Sequence, residues 1–513
     1  MKITSMKLNN FRGYNREIDI KFNDLTAIVG KNDIGKSTIL EALDIFFNDP
    51  KGSIKLDKND VNKLNLEVGN AETIIGVCFG DLPETVVIDS SVETSLGSEF
   101  LLNDRGELEV IKKYQNGGSA KIYIKAKHPS NPECSDLLLK KNQELKKVIT
   151  DKGIKCDNLT VNSIMRNVIW NHYKEDLQLE EREIDVSKED ARKIWEKLTV
   201  SLPVYSLFQA DRKNSDNDSE VQDPLKQAVK QILNEESIQK TLSEIAATVQ
   251  ERIQEVSDRT LEKIKEMDVD IANSLTPIIP QTESLKWSDV FKNVSISGDE
   301  NIPINKRGSG VRRLILLNFF RAEAERLAEK NSNSNVIYAI EEPETSQHTH
   351  NQIKLINSLI DLSKTEGTQI ILTTHSPNIV KKLDFSDLRL IRKVDGEKSV
   401  EPIDSNSLNY PSLNEVNYLA FEEVTEEYHN ELYGYIESQG WFDQYKNGKE
   451  TVSYNKLLRN GGTRVETLIL TQYIRHQIHH PENEMNSRFT LEDLKNSIEM
   501  MREFVRERGN EAD

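Results

Sequence analysis

"TAIVGKNDIGKST", residues 26–38, decides how the rest of this 513-residue chain is read. The apolar run from Leu25 to Val29 reads as a buried strand. Gly30-x-x-x-x-Gly35-Lys36-Ser37 follows it, and "TILEALDIFF" then carries apolar residues at helical spacing. Phosphate chemistry asks for these residues in this order. Glycines let the backbone curl until its N–H groups face phosphate oxygens, and the N-terminus of the next helix adds positive potential. Lys36 reaches the β- and γ-phosphates, and Ser37 ligates Mg²⁺. Asn32 and Thr38 complete the loop's candidate nucleotide contacts. The stretch predicts a site for ATP with Mg²⁺.

Composition narrows what can surround that site. Apolar residues make up 36% of the chain and charged residues 30%, which suits long exposed helices better than one compact core. The length predicts about three domains' worth of structure. No stretch approaches the ~20 apolar residues that span a bilayer, and "MKITSMKLNNFRGY" lacks the apolar centre of a signal peptide. Cys78, Cys134 and Cys156 are scattered and odd in number, so they encode neither a disulfide framework nor a zinc ribbon. A soluble cytoplasmic protein without membrane attachment is the expectation. A net charge of −18 argues against non-specific DNA binding by the whole chain, and leaves a local basic groove open.

Upstream, "KITSMKLNNFRGYNREIDIKF" reads as two strands around "NFRGY". Placed ahead of a phosphate loop, this element resembles the N-terminus of the RecF, SMC and OLD-like branch of ABC-type ATPases. There an Asn-Phe-Arg element lies beside the nucleotide, which makes Arg12 a candidate phosphate or base contact; an exposed hairpin arginine is the plainer reading. Such a head is one sheet assembled from both ends of the chain. The resemblance therefore requires the remaining motifs far downstream and in order.

They are present. "NKRGSGVRRLILLNFF" (305–320) matches the branch's signature element, with Gly308-Ser309-Gly310 opening a helix whose N-terminus can hold a phosphate. "NVIYAIEEPETSQH" (335–348) is an apolar strand ending in two acids. The resemblance makes Glu341 a support for Mg²⁺ through water and makes Glu342 the residue that polarises the attacking water. "QIILTTHSPNIV" (369–380) is another buried strand, ending at His375, which matches the switch histidine that senses the γ-phosphate. With Lys36, Glu342 and His375 form the implied catalytic set. The one departure is Glu341 where many ABC proteins carry Asp. In the family, Ser309 and Gly310 face the nucleotide of a second subunit, so a homodimer or higher homo-oligomer through the heads is implied.

The expected architecture is α/β: an ABC-type ATPase head with a mixed sheet from both chain halves, an inserted helical arm, and an all-α C-terminal module. The boundaries are 1–130 and 286–404 for the head, 131–285 for the arm and 405–513 for the module. Within the first part, 107–127 read as a hairpin around Asn116-Gly117-Gly118. "SLPVYSLFQADRKNSD" (201–216) resembles the Phe-x-Ala-Asp-Arg element of OLD-like heads, with Gln209 or Arg212 facing the nucleotide or simply closing a turn. Residues 225–267 repeat apolar positions at helical spacing. A helix of some 30 residues, on the order of 45 Å, would serve as a packed arm or dimer brace, or as a DNA clamp.

The tail contains no Asp-x-Asp pair of the kind that OLD-type Toprim nucleases use to hold two metals, so self-contained metal-dependent cleavage is not expected. "YIRHQIHHPEN" (473–483) offers something else. Arg475 and His480 fit the Arg-polar-x(3)-His pattern of HEPN ribonucleases, where the histidine moves the 2′-hydroxyl proton and the arginine stabilises the phosphorane. Three readings stay open: a metal-free RNase pair, a structural or partner-docking helix, and a metal site on His476 and His480 that lacks a third ligand. Arg166–His172 is a second, similar match in the same chain. Taken together, the chain resembles ATPases of prokaryotic anti-phage systems of the Septu, PARIS or retron-associated type. That implies a sensor or regulatory ATPase controlling a separate effector nuclease or toxin, with DNA or RNA as further partners. A self-contained RNase and a RecF-like repair ATPase are the alternatives.

Overall fold

The structure, a computed structural model, describes residues 1–50, 52, 54–88, 92–188, 191–209, 233, 236–267, 335–345, 349–394, 396–403, 412–458 and 462–510. It divides into two units, Met1–Ala210 with Glu323–Asp513, and Asp211–Ala322.

In chain order the strands are β1 (Lys2–Asn9), β2 (Ile18–Lys21), β3 (Leu25–Val29), β4 (Glu72–Gly80), β5 (Val86–Val87), β6 (Glu93–Thr94), β7 (Leu108–Gln115) and β8 (Ala120–Pro129). They continue as β9 (Leu179–Asp185), β10 (Val204–Phe208), β11 (Val336–Glu341), β12 (Thr368–Thr374), β13 (Leu388–Val394), β14 (Glu397–Pro402), β15 (Thr451–Leu457) and β16 (Thr463–Ile469). The site-bearing sheet runs β10-β11-β12-β3-β13-β14, parallel except for β14, which returns antiparallel to β13. Every residue of β3 and β12 is buried, as expected of central parallel strands covered on both faces. The expected assembly from both ends of the chain is present: β3 lies between β12 and β13, with Leu25 opposite Ile370 and Ala27 opposite Leu388.

A second sheet, β2-β1-β4-β7-β8-β9, is antiparallel throughout. Its β7–β8 turn carries Asn116 and Gly117 at φ of 50° and 70°, the paired left-handed conformation of a tight hairpin. The phosphate-loop helix, Lys36–Asn48, joins this sheet's apolar face to the parallel sheet. Its buried stripe, including Ile39, Leu43 and Phe46, shares one core with Met6, Val77, Ile337 and Ile371. Lys112 on β7 donates to the carbonyl of Phe46 at 2.6 Å and so satisfies the end of that helix. Burial pushes its amine down to about 8.

Two expectations are corrected here. The head runs past residue 130 to residue 210, because β9 completes the antiparallel sheet and β10 opens the parallel one. β9 reads "LEEREID" and is largely exposed, so no apolar alternation marked it; its backbone ladder to β8 alone makes it a strand. The C-terminal module is helical as expected but not all-α. Its helices Leu413–Phe421, Glu426–Ser438, Phe442–Lys446, Leu470–His479 and Leu491–Asn510 are joined by the β15–β16 hairpin. Tyr428, Leu432, Ile436, Ile474, Ile498 and Met501 form that module's own core.

In the unit Asp211–Ala322 the described residues form a 32-residue helix, Glu236–Met267, about 48 Å long. Among the described residues no helix is long and apolar enough to cross a membrane.

Candidate nucleotide site

The phosphate loop closes on itself. Gly35 holds φ 109° at the N-cap of the helix, and a Cβ there would stand 3.1 Å from the Tyr14 hydroxyl and 3.2 Å from Lys398 Nζ. Tyr14, itself buried, donates its hydroxyl to the Gly35 carbonyl at 3.0 Å and ties the "NFRGY" turn to the loop. Lys36 is buried with its amine folded onto the Gly30 and Lys31 carbonyls at 2.8 and 3.0 Å. Burial pushes that amine down from its ordinary value, while Glu342, and after it Glu344, act the other way. A buried ammonium ringed by carbonyls and acids is ready for an anion to take their place. Asn32 is exposed on the loop, and Ser37 and Thr38 are half-buried at the first turn of the helix.

Ser37 donates its hydroxyl to Oε1 of Glu341, a contact between residues 304 positions apart in sequence. A hydroxyl and a carboxylate side by side are the hard oxygen ligands that Mg²⁺ takes, so this pair fits the ion expected there. At the next position the backbone turns sharply: Glu342 has φ 41°, unusual for a residue with a side chain. Its N–H is held by the Thr373 carbonyl at 3.0 Å and the Thr373 hydroxyl at 3.2 Å. The carboxylate is thereby turned toward the end of β12, where Oε1 lies 3.3 Å from His375 Nδ1.

Sequence reasoning passed over two residues that the structure places here. Glu344 is buried, and its Oε1 accepts from the Thr374 hydroxyl at 2.7 Å and the His375 N–H at 2.9 Å. Glu41, on the phosphate-loop helix, is bound by Arg12 and also by Gln209 Nε2 at 3.0 Å. Arg12 reaches Asp60 as well, at 2.7 Å. Arg12 and Gln209, two of the candidates for a nucleotide contact, thus converge on one carboxylate beside the loop. One signal was available: Glu41 is four residues past Ser37, on the same face of its helix. Ser309, Gly310 and Arg212 lie outside the described residues.

The C-terminal pair behaves differently. Arg475 stacks over the Tyr433 ring at 3.9 Å and sits 3.6 Å from Glu437. His480, exposed just past the helix end, faces Glu482 at 3.2 Å and lies beside the His476 ring, which stacks on Tyr454. The other match, Arg166, is buried in an ion pair with Glu99 at 2.7 Å.

A model of the AAA ATPase domain family matches residues 1–380. Endonuclease GajA of Bacillus cereus strain VD045 is 24% identical over 405 residues, 78% of this chain and 59% of that protein. Endonuclease GajA of strain HuB5-5 is 25% identical over 430 residues, 74% of this chain and 58% of that one. The chain therefore spans about three-fifths of the length of these curated relatives. Among solved structures, an SMC head bound to the C-winged helix domain of ScpA aligns with 78% of this chain and 98% of its own, at TM-score 0.36 and 15% identity.

Proposed function

The chain belongs to the AAA ATPase domain family, and we propose that its ATP cycle is the regulatory clock of an anti-phage response carried out by a partner nuclease or toxin. The Ser37–Glu341 contact, with Glu342 and His375 beside it, carries the hydrolytic part of this reading. On nucleotide entry Lys36 leaves the carbonyls of Gly30 and Lys31 for the β- and γ-phosphates. Ser37 and Glu341 would hold Mg²⁺, which would supply charge neutralisation for the phosphates. Glu342 orients a water and takes its proton as the water oxygen attacks the γ-phosphorus; the bond from that phosphorus to the β–γ bridging oxygen breaks, and the oxygen leaves with ADP. His375 contacts the γ-phosphate, and Ser309 and Gly310 of a second copy close the site.

Coupling to an effector is supported by three ties between the rim of this site and the C-terminal module. Lys31 of the phosphate loop pairs with Glu422. Asn417 donates to the Pro377 carbonyl at 3.4 Å, two residues past His375, and Lys381 pairs with Glu427 at 2.5 Å. A change at the phosphates is felt by both segments that these ties hold. The endonuclease names of the two similar proteins support nucleic acid as the eventual target.

The test is reconstitution. Purified chain alone hydrolyses ATP without cleaving nucleic acid, and cleavage or toxicity appears when the product of a neighbouring gene is added, under the control of Glu342. RNA cleavage by the chain alone that is lost with His480→Ala and kept with Glu342→Gln overturns this reading.

A further inference from the structure

Glu344 is a buried acid with few partners. Its side chain is 2% exposed, and among the described residues no lysine or arginine lies within ion-pair distance; the nearest ring nitrogen is His375 Nδ1, 3.4 Å away. Both of its hydrogen bonds fall on one oxygen, from the Thr374 hydroxyl and the His375 N–H. Among the described residues the other oxygen, Oε2, is buried without a hydrogen-bond partner. A buried carboxylate held by so few donors is costly, and a neutral side chain could have closed the same turn. What distinguishes this carboxylate is its place. It grips the main chain at the point where β12 ends and the switch residue begins. It also shares the Nδ1 side of that imidazole with Glu342, which stands 3.3 Å from the same nitrogen.

We propose that Glu344 is a positioning residue for hydrolysis, acting through His375. It anchors the backbone of His375 through Oε1, the oxygen that also stands 3.4 Å from the ring's Nδ1, so that the opposite edge of the imidazole is presented to the γ-phosphate. By engaging Nδ1 it also releases Glu342 for the attacking water. One imidazole nitrogen stands between two carboxylates; with the γ-phosphate bound, Glu344 retains the ring and Glu342 faces the attacking water. The proposal rests on the roles given above to Glu342 and His375.

A double-mutant cycle on the full chain, read by steady-state phosphate release, tests it. Glu344→Gln keeps the size and an acceptor oxygen but removes the charge. It lowers kcat about ten-fold with KM for ATP changed less than about two-fold. In a His375→Ala background the same substitution changes kcat by less than about two-fold. Thr374→Val, which deletes one of the two donors, follows the same pattern with a loss of about three-fold, and Thr374→Ser restores the rate. Equal losses in the two backgrounds, or a rise in KM at unchanged kcat, overturn the role of Glu344; should Glu344→Gln fold poorly, the Thr374 pair decides by the same criterion. Hydrolysis that survives Glu342→Gln at the wild-type rate is a different failure: it removes the assignment of the site itself, and this proposal with it.

Discussion

Ser37 and Glu341 are 304 residues apart in sequence and share a hydrogen bond, whereas Arg475 and His480, five positions apart, turn to different neighbours. Both pairs were singled out from sequence motifs. The first pair was required by an architecture in which one sheet draws strands from both ends of the chain, and β3 and β11 are brought into that sheet by parallel pairing through β12. The second rested on a short spacing alone, and the same kind of spacing recurs at Arg166, which is a buried structural ion pair. Closeness along the chain is weaker evidence for a shared site than a distance that the fold must close.

The contrast can be broken most decisively at the ATP site. Lys36→Ala and Glu342→Gln should each lower ATP hydrolysis by about 10²–10³-fold or more, measured as phosphate release. A loss of ten-fold or less would mean that the contact across 304 residues is architectural and not chemical.

The module should answer in stability first. Arg502 binds Glu415 through two hydrogen bonds, at 2.6 and 2.9 Å, and Glu415 is fully buried. Arg502→Met leaves that carboxylate the Tyr428 hydroxyl but no counter-charge, and should cost about 3–5 kcal/mol in urea unfolding, followed by hydrogen exchange in the helix Leu491–Asn510. Unchanged protection in that helix would mean that the ion pair does not hold the module together.

Acid should loosen the same module. His429 is buried, donating to or accepting from Ser497 at 3.0 Å, and burial, reinforced by Arg475, pushes its imidazole from 6.5 down to about 4. Below pH 6.5 the unfolded chain takes up the proton before the folded one, so stability from this group is full above that pH and declines toward pH 4, by up to about 3 kcal/mol. His429→Gln should flatten the decline; an unchanged slope between those pH values would assign it to other groups.

The smallest effects are the sharpest test of the pair that opened this comparison. Arg475→Ala, which removes a half-buried side chain from the Tyr433 ring, should cost about 1–2 kcal/mol. His480→Ala, at an exposed position, should stay within about 0.5 kcal/mol. If both substitutions instead abolish one RNA-cleaving activity, the two residues act as a pair despite their separate contacts.

Much of the head was legible because its signals are local. A five-residue apolar run, a glycine-framed loop and a helical stripe announce strand, cradle and helix without reference to anything distant. β9 was not legible, because a charged and exposed strand owes its conformation to a partner's backbone and not to its own side chains. Nor were the neighbours of Arg12, which reads in sequence as a candidate phosphate or base contact or as a plain hairpin arginine, and which lies in the structure against Glu41 and Asp60.

By itself, the sequence determined the phosphate loop and the order of the motifs that must join it, because a phosphate cradle is made by eight consecutive residues and their own backbone. Tertiary structure alone decided that Glu341 meets Ser37, that Glu344 lies buried under His375, and that Arg475 and His480 part company. Those outcomes depend on which strands pair and which faces are buried. Hydrogen bonds and Coulomb interactions act across a few ångströms of space, and positions along a chain do not measure that distance until it has folded.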